Sequence, residues 1–486
     1  MGRRDSGKQV DNPGEFGGLK NPILMEKPVE ASDENPLIED RISQLHHDIL
    51  VRIISFLTLK EAARTSVLSK SWTDIWKSIH RLHFDIPEVC INSGTFYRPD
   101  ERASLLESQG YKHAEWINKA LQSHKAFTLE EFKMCIRLGR SMQEEIDKWL
   151  CYAFAKKVQR LELETLSSIR EPYVFPEGLL DLSNETTLDK SFSIYCGNYT
   201  PIDILGGFKS IRSLRLSCVS VTGDVFKMFL REFQFLEHLA IHGSHDLTSV
   251  EVCGSSIALQ RLELCLCTKL QSVIVSDINL VSLKVSGCCE LILKNVPKLR
   301  DLCILERFFE QTFSLLSGCL ENLEILTLDV WDYPKTEHWI HKVPQPNRLK
   351  QLNFSAPPLQ NEGGLIVFAY LVGLFPNLEK FVLKLRRAYS YGIESRALIR
   401  APSLPLQHLK VFEVHGYQGR GLELELVKYF VENAMVLERL TVEPQVYKGY
   451  GCTEVARLKA KRQFEELKKQ LEELIPNPSC IDLVVF

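Results

Sequence analysis

The chain lacks any apolar run near the roughly 18 residues that a membrane-spanning helix needs, and its first residues lack the apolar core of a secretory signal. It also lacks a charge excess. The 59 Lys and Arg against 62 Asp and Glu leave a formal net charge of -3, which offers no general attraction to nucleic acid or to an anionic membrane surface. Fourteen cysteines are present but no CxxC pair is; Cys265 and Cys267 stand as CxC, and Cys288 and Cys289 are adjacent. Neither spacing is a common zinc framework. Without a secretory signal the thiols are expected to be mostly free, in the nucleus or cytoplasm. The sequons at Asn184 and Asn198 would then go unused, and the acylation pattern of Gly2 and Ser6 stands in a poor context beside Arg3. No GxxxxGK[ST], GxSxG or HExxH motif occurs. The glycines of 416–421 lack the Lys and Ser of a phosphate loop, and a turn explains them. No catalytic residue, cofactor or metal is expected, and the chain reads as a non-enzyme.

What is present is apolar and periodic. Hydrophobic residues make up 45% and charged residues 25% of 486 positions, too long a chain for one ordinary compact domain. Residues 1–36, rich in Gly, Pro, Asn and charge, are expected to be a disordered arm. From 37 to 82 the pattern becomes helical. Leu45, Ile49, Ile53 and Leu57 recur every fourth position, with Leu50 and Ile54 beside them, which predicts a helix with a wide apolar face. Thr58-Leu-Lys-Glu61 reads as a capping box for a second helix. Ser69 is placed to cap a third, carrying Trp72, Trp76 and Ile79. So small a helical module carries more apolar surface than it can bury, which points to a partner interface or to packing on the rest of the chain.

These residues carry a resemblance. Asp40 to Leu45, Ile49-Leu50, Ile53 to Leu57, Thr65 to Trp72 and Trp76 resemble an F-box, and TSVLSKSW is close to its plant form. The resemblance implies docking on a Skp-type adaptor and, through it, a cullin. Its apolar contact positions fall on Leu45, Ile49, Leu50, Ile53, Leu57, Val67, Leu68 and Trp72. Where that family usually has Pro-Asp, this chain has His46 and His47. It forfeits the preorganised first turn and the acid at the positive helix end, at roughly 1 kcal/mol. Thr58 likewise replaces a common proline but gains the capping box.

Beyond residue 110, Leu-x-x-Leu-x-Leu segments recur. They begin at Leu129, Val158, Ile211, Leu236, Leu259, Leu280, Leu299, Leu323, Leu349, Leu378, Leu409 and Leu437, with a looser one around Phe192 and Ile194. This is the leucine-rich-repeat period. The tails Ser244 to Leu247, Cys267 to Leu270 and Cys288 to Leu291 fix the register and make Cys267 and Cys288 buried turn thiols. Alternation sends Leu239, Ile241 and their equivalents inward, where only stacked neighbours can bury them. Helices are expected on the other side, as at 142–156 with Ile146, Trp149, Leu150, Ala153 and Phe154 in one stripe. Ser141 to Glu144 would be that helix's capping box. The expected fold is α/β: a small three-helix F-box, then at 110–400 an irregular solenoid with parallel strands on its concave face.

Residues 409–440 are similar to the FBD segment that ends many plant F-box proteins, so 401–486 reads as an FBD-like terminal repeat. Residues 453–475, with Leu458, Phe464, Leu467, Leu471 and Leu474 apolar, form an expected capping helix. Outward strand positions run from Arg215 and Ser217 through Asp301, Asp329, Gln351, Asn353 and Lys380 to Lys384. Among them Arg215, His238, His242, Arg261, Glu263 and Lys284 are the candidate target-binding residues. His238, His242 and His245 are better explained by a polar surface than by a metal. The resemblance implies the substrate-recognition subunit of a Skp-cullin-F-box ubiquitin ligase, binding an unknown target protein, with no nucleic acid or membrane partner. The alternative is a repeat-based scaffold that engages no ligase.

Overall fold

The structure, a computed structural model, describes residues 41–85, 99–136, 140–165, 172–180, 199–288, 290–306, 312, 322–332, 347–357, 359, 362–386, 405–419, 421–445, 454–475 and 481–485. The expected arm at 1–36 and the looser repeat at Phe192 and Ile194 lie outside these residues. The chain divides into two units, Met1–Leu45 and His46–Phe486. In the first, the described residues turn so that the Leu45 N–H donates to the Ile42 carbonyl at 3.1 Å.

The second unit opens with helix α1 (His47–Ile54), which buries Leu50, Val51 and Ile54. Its cap is His46, whose Nδ1 accepts from the Asp48 N–H at 3.4 Å, longer than a well-made hydrogen bond. Helix α2 (Leu59–Arg64) starts on the expected capping box. The Thr58 N–H donates to the Glu61 carboxylate at 3.0 Å, and the Glu61 N–H returns a bond to Thr58 Oγ1 at 3.3 Å. The third helix is instead three 3-10 turns, Thr65–Val67, Lys70–Trp72 and Ile75–Ser78. Ser69 makes no capping bond there; its hydroxyl faces that of Ser71 at 2.6 Å.

Strand β1 (Arg81–Phe84) follows at once and begins the large sheet. Helix α3 (Pro99–Ser123), which periodicity did not signal, leads to β2 (Glu131–Ile136), α4 (Gln143–Ala155) and β3 (Arg160–Thr165). After it come α5 (Pro201–Phe208), β4 (Ser213–Ser217), α6 (Gly223–Glu232) and β5 (His238–His242). The next elements are all short strands: β6 (Ser249–Cys253), β7 (Arg261–Cys265), β8 (Ser272–Ser276), β9 (Ser282–Ser286), β10 (Glu290–Lys294) and β11 (Asp301–Leu305). Then stand β12 (Ile325–Asp329), β13 (Gln351–Ala356), α7 (Glu362–Gly373), β14 (Lys380–Leu385) and β15 (Val411–Tyr417). The chain closes with α8 (Gly421–Asn433), β16 (Arg439–Pro444), α9 (Glu454–Leu474) and β17 (Asp482–Val485).

The described strands form a parallel sheet of 14, in the order β1-β2-β3-β4-β5-β7-β9-β11-β12-β13-β14-β15-β16-β17, and a second sheet β10-β8-β6. Every clearly signalled repeat start from Leu129 onward precedes a strand of the large sheet. The in-phase leucines stand side by side: Leu214 pairs with Leu239, Leu239 with Leu262, and Leu262 with Leu283. All are buried in one core. Between 249 and 294 the second layer is β6, β8 and β10, where helices were expected. Repeats of about twenty residues leave no length for a helix and its two loops, and Val250, Val252, Val273 and Val275 bury one side of the alternating strands.

Two local expectations fail. Helix α4 begins at Met142 with no side-chain cap; the Gln143 side chain instead straps Val174, donating to its carbonyl at 2.8 Å and accepting from its N–H at 3.2 Å. The stripe Ile146, Trp149, Leu150, Ala153 and Phe154 is buried as expected. At the other end α9 buries Leu471, but it does not finish the sheet, because β17 pairs with β16 beyond it. The turn at 416–419 carries Gly416 and Gly419 at positive φ.

The helices of the N-terminal module are joined directly to the repeats. Lys125 N–H donates to the Lys77 carbonyl at 2.7 Å, Glu130 N–H donates to the His80 carbonyl at 2.8 Å, and Lys125 Nζ pairs with Asp74 at 2.7 Å. Buried His124 bridges the two regions. Its Nε2 donates to the Ile79 carbonyl at 2.8 Å, and its Nδ1 accepts from the Tyr152 hydroxyl at 2.6 Å.

Burial lowers the His124 pKa to about 4, with Lys156 and His80 also opposing its charge. The unfolded chain therefore binds the extra proton between pH 6.5 and 4. Stability is expected to fall on acidification through that window. His124→Gln should flatten this part of the pH dependence in denaturant titrations. Trp72→Ala, which empties a core site of 6% exposure, should cost about 3–5 kcal/mol in the same measurement.

Candidate functional site

Two surfaces stand out. On the N-terminal module, apolar side chains remain in water after the core is made. Ile49 and Ile53 lie on the α1 stripe beside that of Leu50 and Ile54, and Leu57 follows; all three are exposed. Val67 and Leu68, on the 3-10 turn after α2, are 87% and 65% exposed. In the first unit, Leu45 is also exposed. Leu50 and Trp72 correct the expectation: at 3% and 6% exposure they belong to the chain's own core and are not available as contact anchors. A helix must turn some apolar residues inward, and Leu50 shares the inner stripe with Ile54. Phe56, 81% exposed, was not among the expected contacts. It follows the end of α1, where the helical period gives no direction.

The second surface is the outward face of the strands. The register places Lys133, Glu162 and Arg215 side by side on β2, β3 and β4, then Ala240, Glu263 and Lys284 on β5, β7 and β9. Charge alternates along this row and is shared across strands. Lys133 pairs with Glu162 at 3.5 Å. Arg215 reaches past Ala240, too short to intervene, to Glu263 at 3.6 Å. His242 Nε2 donates to the same carboxylate at 3.1 Å. The His242 bond, with help from Arg215 and Lys284, overcomes burial and holds the Glu263 pKa at about 2.

Arg215, His242, Glu263 and Lys284 therefore form one cluster on adjacent strands. Arg261 and His238 stand in the next row, paired in register. Burial, reinforced by Arg261, lowers the His238 pKa. His245 lies apart, its Nδ1 2.9 Å from Thr268 Oγ1, so the three histidines do not converge. Among the described residues no group of His, Cys, Asp and Glu is arranged to hold a metal. Cys267 and Cys288 are buried turn residues as expected. On the strand face, burial raises the Cys265 and Cys303 thiols to about 11 and 12, which removes the thiolate a nucleophile needs. A third grouping escaped the period-2 reading because it lies beyond strand ends. Arg386, after β14, is ion-paired with Asp329, donates to the Val330 carbonyl and covers the exposed Trp331 ring at 4.3 Å.

The described helices include none long and apolar enough to cross a membrane. The geometry provides two contact surfaces, one apolar and helical, the other polar and built on strands.

Both regions of the chain are similar to known proteins. The F-box domain matches residues 42–84, which contain the exposed apolar set from Leu45 to Leu68. The F-box/LRR-repeat protein At3g26922 of Arabidopsis thaliana is 29% identical over 314 residues, 60% of this chain and 93% of that protein. The FBD-associated F-box protein At3g52670, from the same plant, is 25% identical over 451 residues, covering 90% of this chain and 94% of the relative. The F-box/FBD/LRR-repeat protein At3g26920 is 26% identical over 427 residues, covering 83% and 89%. The family described as At1g61320/AtMIF1, LRR domain, matches residues 120–474. With most of its length in that match and the strand ladder to account for it, the chain belongs to the At1g61320/AtMIF1 leucine-rich-repeat family and carries an F-box domain ahead of its repeats.

Proposed function

We propose that this protein is the substrate receptor of a Skp-cullin-F-box ubiquitin ligase. The observation that carries the reading is the set Ile49, Ile53, Leu57, Val67 and Leu68, left in water on a module that already has a complete core. Aliphatic side chains exposed together on so small a module mark a partner surface, and an F-box domain is the kind of module that binds a Skp-type adaptor. The strand face, with Arg215, His238, His242, Arg261, Glu263 and Lys284, holds a target protein, as extended solenoid surfaces do. Residues 401–486, with the strand-helix-strand of β15, α8 and β16, act as an FBD-like terminal repeat. The chain contributes no catalytic group and no cofactor. It raises the effective concentration of target lysines near the conjugating enzyme, in the nucleus or cytoplasm.

The direct hydrogen bonds between residues 74–80 and 124–130 support a fixed separation between the adaptor face and the target face. The weak cap at His46 favours the second reading, a scaffold that engages no ligase, and the same experiment separates the two.

The test measures adaptor affinity of the purified full chain beside Leu68→Ala and Val67→Asp. Both side chains are exposed, so folding stability should change by less than about 0.5 kcal/mol, while adaptor binding should weaken by roughly 2 kcal/mol, as for interface anchors. Unchanged affinity in both variants would remove the proposed adaptor face, and no adaptor binding by the wild type would leave the scaffold. On the strand face, Arg215→Ala combined with Glu263→Ala should reduce target ubiquitination in a reconstituted ligase without altering adaptor affinity.

A further inference from the structure

The strand face ends in a rim of turn residues, and one of them is an unusual residue for its conformation. The residue after each strand of the large sheet from β4 to β9 takes a left-handed backbone: Cys218 at φ 58°, Gly243 at 68°, Leu266 at 57° and Gly287 at 74°. A leucine is strained here relative to glycine, which stands at the positions on either side. Leu266 recovers nothing from packing, since its side chain is 71% exposed. Its backbone is locked: the Leu266 N–H donates to the Ser286 hydroxyl at 2.6 Å, where Cys218 and Gly243 donate to carbonyls of the next strand. A bulky apolar side chain is thus held in water, in a strained conformation, between two residues that have no side chain. Strain of this kind persists where the surrounding structure over-determines it, and it clusters at functional sites.

Three strands further along, the same rim carries Trp331, 66% exposed and covered on one face by Arg386. Strands β7, β9, β11 and β12 are consecutive neighbours, so the strands that carry the two apolar side chains lie about 14 Å apart. An extended chain covers that distance in about four residues. Between them, Glu263 is satisfied by His242 and Arg215, Asp329 by Arg386, and Asp301 accepts from Ser282 at 2.9 Å. Glu306, immediately after β11, is buried and accepts from the Gly287 N–H at 2.7 Å. Lys284, on β9 between the two anchors, has no ion pair within 4.0 Å among the described residues, so its ammonium is the charge this stretch offers to a ligand.

We propose that Leu266 and Trp331 are the apolar anchors of the target site, and that they receive an extended, acidic target segment. It carries two apolar side chains four residues apart, with Asp or Glu between them facing Lys284. This deepens the receptor reading by naming the chemistry of the target, and it stands or falls separately from adaptor binding.

The probe is a random-peptide display library selected on the full chain. The expected consensus has apolar residues at i and i+4 with acidic residues between. Leu266→Gly should weaken the selected peptide at least tenfold while leaving the melting temperature unchanged or raised, because glycine relieves the strained turn. Trp331→Ala should weaken it similarly, and Lys284→Glu should select against acidic residues. A selection with no consensus, a consensus without the spacing or the acid, or binding insensitive to Leu266→Gly overturns the proposal. So does a lowered melting temperature in Leu266→Gly, which would make the leucine a structural residue. Adaptor affinity, measured on the same variants, reports on the ligase reading alone and should not change.

Discussion

Each strand of the large sheet carries inward aliphatic side chains that its own repeat is too small to cover, and the architecture depends on that deficit. Leu262 and Leu264 are buried only because Leu239 and Ile241 lie on one side and Leu283 and Val285 on the other. A one-residue slip would turn the whole row into water, so the ladder stays parallel and in phase through repeats of unequal length. Differences in length are absorbed on the outer layer, as helices such as α4 and α6 where the repeat is long and as strands β6, β8 and β10 where it is short. The ends must be closed as well: β1 continues the ladder from the F-box domain, and β17 extends it past α9.

The F-box domain is consequently part of the same compact unit from His46 onward. Its last turn runs directly into β1, and its backbone carbonyls at Lys77, Ile79 and His80 receive donors from the segment that follows α3. Because this contact is made by backbone groups and by a neutral His124, it does not depend on surface ion pairs that salt would screen. Asp74 adds a charged link, its pKa held at about 2 by bonds from Lys125 and Lys77.

The outward face follows a different logic. Neighbouring strands set side chains of the same row, and of the next row diagonally, close enough to interact, and the sequence places opposite charges there: Lys133 beside Glu162, Arg215 and His242 upon Glu263, Lys380 with Glu413 at 2.8 Å. Such pairs quench each other and leave a surface whose binding character rests on the few groups outside them. That is why single residues chosen for charge alone, such as Arg215, say less about a partner than Lys284 or the strained Leu266 does.

The repeat period, the inward rows, the capping box at Thr58, the buried turn thiols and the F-box domain were legible in the sequence, because each depends on spacing along the chain. Which apolar residues of the F-box domain face water was not, since Leu50 and Ile49 are adjacent and only the packing of α1 on the rest of the module puts one inside and the other out. Helix α3 was hidden for a related reason: most of its turns lack a sustained apolar stripe. The conformation of Leu266, the reach of Arg215 past Ala240 and the meeting of Arg386 with Trp331 join residues that are strands apart or lie where strand alternation ends. Local pattern specified this protein's elements and their register. The stacking of those elements decided which side chains met, because only stacking brings distant segments within reach of one another.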